Sequence, residues 1–194
     1  MSCENRILKN ITSTCDNAVV AGIEQKLWLF NRTDIASITY DSEQTNKVTG
    51  ITLKTGATAY SATGLKRNMG VSFSRNVNAE GLDTFTDTVS ITGFEFDSAS
   101  ALNFDNMSDI VVVADRKGKK QGDGSLIILG LENGLYCSSD QYNAWENGGT
   151  RQLEFSSMDD AGESQSYYVY AVQTGSPAVD DYEASVAALD AMLS

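Results

Sequence analysis

Alternating apolar and polar positions set the first expectation for this chain. Ala36, Ile38 and Tyr40 alternate with Ser37 and Thr39, Ile51 and Leu53 with Thr52 and Lys54, and Val71 and Phe73 with Ser72 and Ser74. A period of two marks half-buried strands of an antiparallel sheet, because successive side chains point to opposite faces. From Thr84 to Thr92 the even positions are Thr84, Thr86, Thr88, Ser90 and Thr92, while Phe85, Val89 and Ile91 occupy the odd phase. After Gly93 the apolar positions become Phe94 and Phe96, so the phase flips. A glycine at a phase change predicts a long, bent strand with a β-bulge.

Other segments are apolar on both faces. They are Leu27-Trp28-Leu29-Phe30, Ile110 to Ala114, Leu126 to Leu129 and Tyr167 to Val172. Such runs predict a closed barrel or sandwich with layers on both sides, or a face covered by a neighbouring subunit. Turn chemistry separates them. Residues 117–124, rich in Gly and Lys, read as a hairpin tip; Glu132-Asn133-Gly134 carries an Asn-Gly turn; Asn147-Gly148-Gly149 precedes a strand around Leu153 and Phe155.

Two helices are predicted. The first starts near Asp97 or Ser98, either of which can cap it, and runs through Ala101, Leu102 and Phe104 to about Met107. The second spans about 180–193, with Tyr182, Val186, Leu189 and Leu193 stepping by four, three and four into one stripe. Asp180 or Asp181 can cap it, and Ser176-Pro177 ends the extended segment before it. Its stripe should dock on its own domain or on a neighbour, since so short a helix is marginal alone.

Composition narrows the class. With 194 residues, 41% hydrophobic, the chain can bury one sizeable core, and 9% aromatics with a single proline argue against disorder. We expect one β-rich domain over 1–175 followed by a C-terminal helix over 176–194. No stretch approaches the roughly 20 apolar residues a helical membrane span needs. The opening shows no basic region followed by an apolar run, so no secretory signal is visible. Of the three cysteines, Cys15 and Cys137 read as small core residues and Cys3 as a free thiol, with a Cys3–Cys15 bridge as the alternative. Fourteen Lys and Arg oppose 26 Asp and Glu, a formal net charge of −12. That balance gives little reason to hold nucleic acid and suits either simple solubility or a wall that DNA passes without sticking.

Candidate chemistry is sparse. The sequence has no histidine, which removes the commonest general base near neutral pH and the commonest zinc ligand. Paired carboxylates remain at Asp159-Asp160 and Asp180-Asp181, both in turn-like or helix-start surroundings where acids are solvated or capping. The 118–124 segment lacks the Gly-Lys-Ser/Thr ending of a phosphate loop. Residues 105–109 and Asp159-Asp160 lack calcium-loop spacing. Three Asn-x-Ser/Thr triplets, at Asn10, Asn31 and Asn106, carry little meaning without a secretory signal. Cations gather at Lys66-Arg67, Arg116-Lys117 and Lys119-Lys120, either as solvated loops or as partners for an acidic surface on another copy. No cofactor or metal is expected, and no catalysis.

The opening apolar strand at Leu27–Phe30, the extended strand to Phe96, the short helix near 97–107, then Ile110–Ala114 and its hairpin resemble the layout of tail tube proteins of tailed bacteriophages. The opening, with Cys3, Cys15 and Asn31-Arg32-Thr33-Asp34-Ile35, also looks like small virion proteins from phages of gut Bacteroidetes. The resemblance implies an antiparallel β-sandwich or barrel with a short flanking helix, six copies in a ring, and stacked rings whose inner sheets join into one large barrel. It implies acidic residues along the lumen, an extended 64–82 connection reaching a neighbouring subunit, and no active site. The C-terminal helix departs from that layout. The expected subunit contacts are Lys66, Arg67, Phe73, Arg75, Lys117, Lys119 and Lys120, with Tyr182, Val186, Leu189 and Leu193 of the helix stripe. The partners implied are copies of itself, other virion tail proteins and viral DNA passing without specific binding, with no membrane; the location is the virion, assembled in the host cytoplasm. The alternatives are another virion component (neck, tail-completion or decoration protein) or a β-sandwich carbohydrate-binding module using Trp145 and Tyr142.

Overall fold

The computed structural model describes residues 21–64, 68–78, 82–93, 97–118, 124–145, 149–158 and 162–194. Along the chain run β1 (Ile23–Asn31), a 3-10 turn (Arg32–Asp34), β2 (Ile35–Tyr40), β3 (Lys47–Leu53), β4 (Tyr60–Thr63), β5 (Met69–Asn76) and β6 (Thr84–Gly93). Then come α1 (Ser98–Asn106), β7 (Ile110–Arg116), β8 (Leu126–Leu129), β9 (Tyr136–Tyr142) and β10 (Arg151–Ser156). The chain closes with β11 (Tyr168–Tyr170), β12 (Val172–Thr174), β13 (Val179–Asp181) and α2 (Tyr182–Asp190). The protein is mainly β, with two helices and three sheets among the described residues.

The largest sheet has seven strands in the order β2-β3-β11-β8-β7-β1-β4. Its middle is built from the two-faced apolar runs. Register places Trp28 beside Val113, Val113 beside Ile128 and Ile128 beside Tyr168 on one face. Leu29, Val112 and Leu129 align the same way on the other. Each face has its own core. The first gathers Trp28, Phe30, Val48, Val113, Ile128 and Tyr170 under Leu189, with Tyr182 and Val186 of α2 packed alongside. The second gathers Leu27, Leu29, Val112 and Leu129 against Val89, Ile91, Leu153 and Phe155. Those last four belong to a four-stranded antiparallel sheet, β5-β6-β10-β9. The seven-stranded sheet therefore lies between the smaller sheet and α2, and both sides of the apolar runs are covered by this same chain. Of the two explanations that the runs allowed, layering within one chain is the one found.

The first helix follows its sequence signals closely. Asp97 caps α1, its carboxylate accepting from the amides of Ala99 and Ser100 at 2.9 and 3.1 Å. Gly93 differs from expectation. The β6–β10 ladder runs in register from Thr88–Ser156 to Gly93–Arg151, so the described strand carries no bulge there, and Phe94 to Phe96 lie outside the described residues. The glycine instead admits the Phe104 ring of α1, since a Cβ would sit 2.9 Å from its Cζ. A second glycine is fixed by close approach: Gly134, at φ +79°, leaves no room for a Cβ beside the Asp109 carboxylate that pairs with Arg32.

Three further expectations are corrected. The helix predicted over 180–193 spans only Tyr182–Asp190, because Val179–Asp181 pair with β12 and Asp181 becomes the cap, accepting from Ala184 N at 3.0 Å. The described part of the 64–82 connection is a sheet strand rather than an extended arm, since Met69–Asn76 pair with β6 at eight successive positions. Cys137 is not a core residue: it sits exposed on β9, an edge strand of the smaller sheet among the described residues. Cys3 and Cys15 lie outside the described residues.

The C-terminal segment is woven into the fold. The Ala59 amide donates to Met192 O at 2.8 Å and the Ser194 amide to Ala59 O at 3.1 Å. Asp190 accepts from Trp28 Nε1 at 2.7 Å and Lys26 Nζ at 2.5 Å, which fastens α2 across β1. Tyr182 Oη donates to the buried Asp115 at 2.7 Å.

Candidate assembly surface

The four-stranded sheet has one face against the core and the other free of any layer among the described residues. Residues paired across an antiparallel ladder share a face. On the outer face register aligns Ser74 with Thr86, Ser72 with Thr88 and Ser156, and Gly70 with Ser90 and Glu154. Thr92, Gln152 and Gln141 continue it to the far end, with Ser139 beside Glu154. The described part of this surface is made of hydroxyls, amides and one acid, with no Lys or Arg. Asn68, Thr92, Gln141, Gln152 and Glu154 edge a shallow polar hollow of about 350 Å³ on it.

Both borders of this sheet are unpaired among the described residues: β5 at one side and β9 at the other. Directions alternate through β5, β6, β10 and β9, so the two border strands run opposite ways. A second copy set alongside would bring its β9 antiparallel to this β5, the hydrogen-bonding geometry of the sheet itself. Beside β5 the two sheets part into an apolar cleft of about 580 Å³ lined by Ile23, Met69, Val71, Phe73, Ile127 and Tyr167. Phe73 stands there half exposed, 5.6 Å from the Tyr167 ring and 6.4 Å from the Phe85 ring. Arg75 lies over Phe85 and pairs with Asp83 at 2.6 Å. At the β9 border Tyr142 and Trp145 are exposed, Trp145 to 97%.

The contacts expected from sequence do not form one patch. Phe73 and Arg75 share the β5 border. Lys66, Arg67, Lys119 and Lys120 lie outside the described residues. Lys117 passes beside Gly22, its amide donating to Gly22 O at 3.1 Å. The helix stripe sits on the far side of the seven-stranded sheet. Leu189 is fully buried in its own chain's core and Tyr182, Val186 and Leu193 pack against it, so the stripe is spent internally.

The carboxylate pairs have structural partners where they are described. Asp180 pairs with the buried Lys47 at 2.6 Å and Asp181 caps α2, while Asp159-Asp160 lie outside the described residues. Among the described residues no group of three or more His, Cys, Asp or Glu is placed to hold a metal. Cys137 is pushed up by partial burial and by Asp140, the reverse of an activated thiol.

Sequence reasoning missed a group of acids at the junction of the two sheets. Asp87 on β6 is 1% exposed, as is Glu163 just before β11, and Glu132 sits in the turn after β8. Burial pushes Asp87 from an ordinary 3.8 up to about 7; the Gly130 amide opposes this, and Glu163 and Glu132 add to it. Burial also raises Glu163 against the amides of Asn133 and Glu132. Burial alone would raise Glu132, but the bonds from Ser164 and Tyr168 outweigh it and hold it low. The signal was present: Asp87 stands in the apolar phase of its strand, between Phe85 and Val89.

Compared with protein-family models, with curated proteins and with solved structures, the chain shows no match.

Proposed function

We propose that this chain is a structural subunit of a phage tail tube, joining copies of itself through β5 and β9 into rings whose lumen is the outer face of the four-stranded sheet. That face carries the reading. Among the described residues it presents a polar surface without Lys or Arg, in a chain of net charge −12, so duplex phosphates meet no fixed positive partners on the described part of it. The open borders supply the joint, because a head-to-tail pairing of β9 with β5 repeats and closes into a ring when the rotation allows. The two-faced strands no longer point to neighbours, since the chain covers them itself; the reading rests on the smaller sheet alone. In this role the partners are further copies and other tail proteins at the tube's ends, DNA passes without specific contact, and the virion is the location.

Sedimentation of the purified chain over a wide concentration range, with duplex DNA added at physiological salt, tests this. Ring-sized or larger species that do not co-sediment with DNA support it, and a monomer at every concentration overturns it.

A second reading is favoured by Tyr142 and Trp145, exposed near one another in sequence at the β9 border. Exposed aromatic rings are what a carbohydrate-binding β-sandwich offers to the apolar faces of sugars. A monomer whose tryptophan fluorescence shifts on adding glycans, and loses that response in Trp145→Ala, would favour it.

A further inference from the structure

The junction acids make specific bonds between elements that belong to different sheets. Asp87, on the four-stranded sheet, accepts the Gly130 amide through Oδ2 at 3.0 Å, and Gly130 directly follows β8 of the seven-stranded sheet. Glu163 accepts the Glu132 amide at Oε2 and the Asn133 amide at Oε1, both at 2.9 Å. Glu163 is itself tied to β6 through paired backbone bonds with Phe85, at 2.9 and 2.8 Å. Glu132 closes the ring, accepting from Ser164 N at 2.9 Å, Ser164 Oγ at 2.5 Å and Tyr168 Oη. The turn after β8 is thus held to the smaller sheet by carboxyl groups.

Their protonation states are not equivalent. Both Glu163 oxygens accept amide hydrogens, an arrangement suited to an anion. Asp87 has one oxygen accepting from Gly130, while its Oδ1 is buried without a hydrogen-bond partner. A negative charge on that buried, partnerless oxygen costs far more than an unbonded hydroxyl in the same place. Among the described residues, the charged and titratable groups that act on Asp87 are Glu163 and Glu132, both acids. Tyr40 and Tyr168 act on Glu132, and Asp87's ladder partner on β5 is the uncharged Phe73. Arg32 is the cation that reaches Glu163, and its guanidinium is already engaged by Asp109 at 2.6 Å.

We propose that Asp87, Glu132 and Glu163 form a proton-operated clasp between the two sheets, closed while Asp87 holds a proton on Oδ1 and loosened when that proton leaves. On ionisation the Asp87 carboxylate repels Glu163 and Glu132 and draws water into the junction; this repulsion and hydration outweigh its stronger bond to the Gly130 amide and free the turn behind it. Mild acid therefore locks the sheets together, and neutral solution gives the smaller sheet freedom to shift against the larger one.

The test is made on the intact chain by nuclear magnetic resonance, following the Asp87 carboxyl carbon and the exchange of the Gly130, Glu132 and Asn133 amides. The expected result is a carboxyl midpoint near 7, with amide protection, corrected for intrinsic exchange, at least about tenfold lower at about pH 7.5 than at about pH 5. Asp87→Asn keeps a neutral group in place and should hold that change below about threefold. An Asp87 midpoint near 4 would overturn the proposal, as would protection that ignores pH or that responds equally in the variant. The carboxyl titration needs no substitution, so the proposal stays open to refutation even if the variant fails to fold.

Discussion

The two larger sheets are made from similar strands and put to different use. The seven-stranded sheet is apolar on both faces in its middle and is covered on both by its own chain, with the smaller sheet on one side and α2 on the other. The four-stranded sheet is apolar on one face, clothed in Ser, Thr and Gln on the other, and unpaired at β5 and β9 among the described residues. Burial and openness are thus separated. The larger sheet supplies stability, and the smaller one offers the backbone edges through which another chain can add strands.

That contrast breaks first if core truncation is no worse than border truncation. Trp28 is buried and donates its indole N–H to Asp190, so Trp28→Ala should cost about 3–5 kcal/mol in urea unfolding. Phe73→Ala, half exposed on β5, should cost under about 1 kcal/mol. Equal losses would show that both sheets serve stability alike.

The junction is where the two sheets influence one another, and its effect depends on pH. A carboxyl raised in the folded state contributes stability that is complete below its unfolded value and is lost as pH rises to the folded one. For Asp87 that window runs from about 4 to about 7. Asp41, Asp97, Asp140, Asp181 and Asp190 are held low, so their contribution is lost as pH falls below about 4. Stability should peak in mild acid, near pH 5. Asp87→Asn should remove the larger part of the decline toward neutrality, leaving the part due to the raised Glu163, and gain about 2 kcal/mol at about pH 8, measured by urea unfolding at each pH.

Smaller effects sharpen the picture at the β9 border. Arg151 joins Asp140 to Asp105 of α1 and lies over Phe104, so Arg151→Ala should cost about 1–2 kcal/mol and loosen the helix. Least of all for stability is a pair of cations on the β5 border. Ser72→Lys with Ser74→Lys should move the unfolding midpoint by less than about 0.5 kcal/mol yet abolish assembly, because lysine blunts an open edge. Assembly that survives those lysines would place the joint elsewhere.

Local signals were legible in the sequence, and distant pairings were not. Asp97 marked the start of α1 because its cap bonds reach only two and three residues away. The two-faced runs marked β1, β7, β8 and β11 as central strands, yet nothing in them said whether a layer or a neighbour would cover them. The first turn expected of α2 was lost to a pairing with β12, and the Tyr182, Val186, Leu189 and Leu193 stripe showed amphipathicity without its destination. Gly93 was readable as a special position but not as the seat of Phe104, which arrives from the following helix. Asp87 was the clearest missed sign, an acid in a phase otherwise apolar, whose partners at Gly130 and Glu163 lie far along the chain.

Negative-stain electron microscopy of the purified full chain tests most directly whether the four-stranded sheet is the assembling one. Rings or stacked tubes should form, and they should vanish when Ser72 and Ser74 become lysine while the fold stays intact. Discrete single particles at every concentration, or rings indifferent to those lysines, would contradict the account.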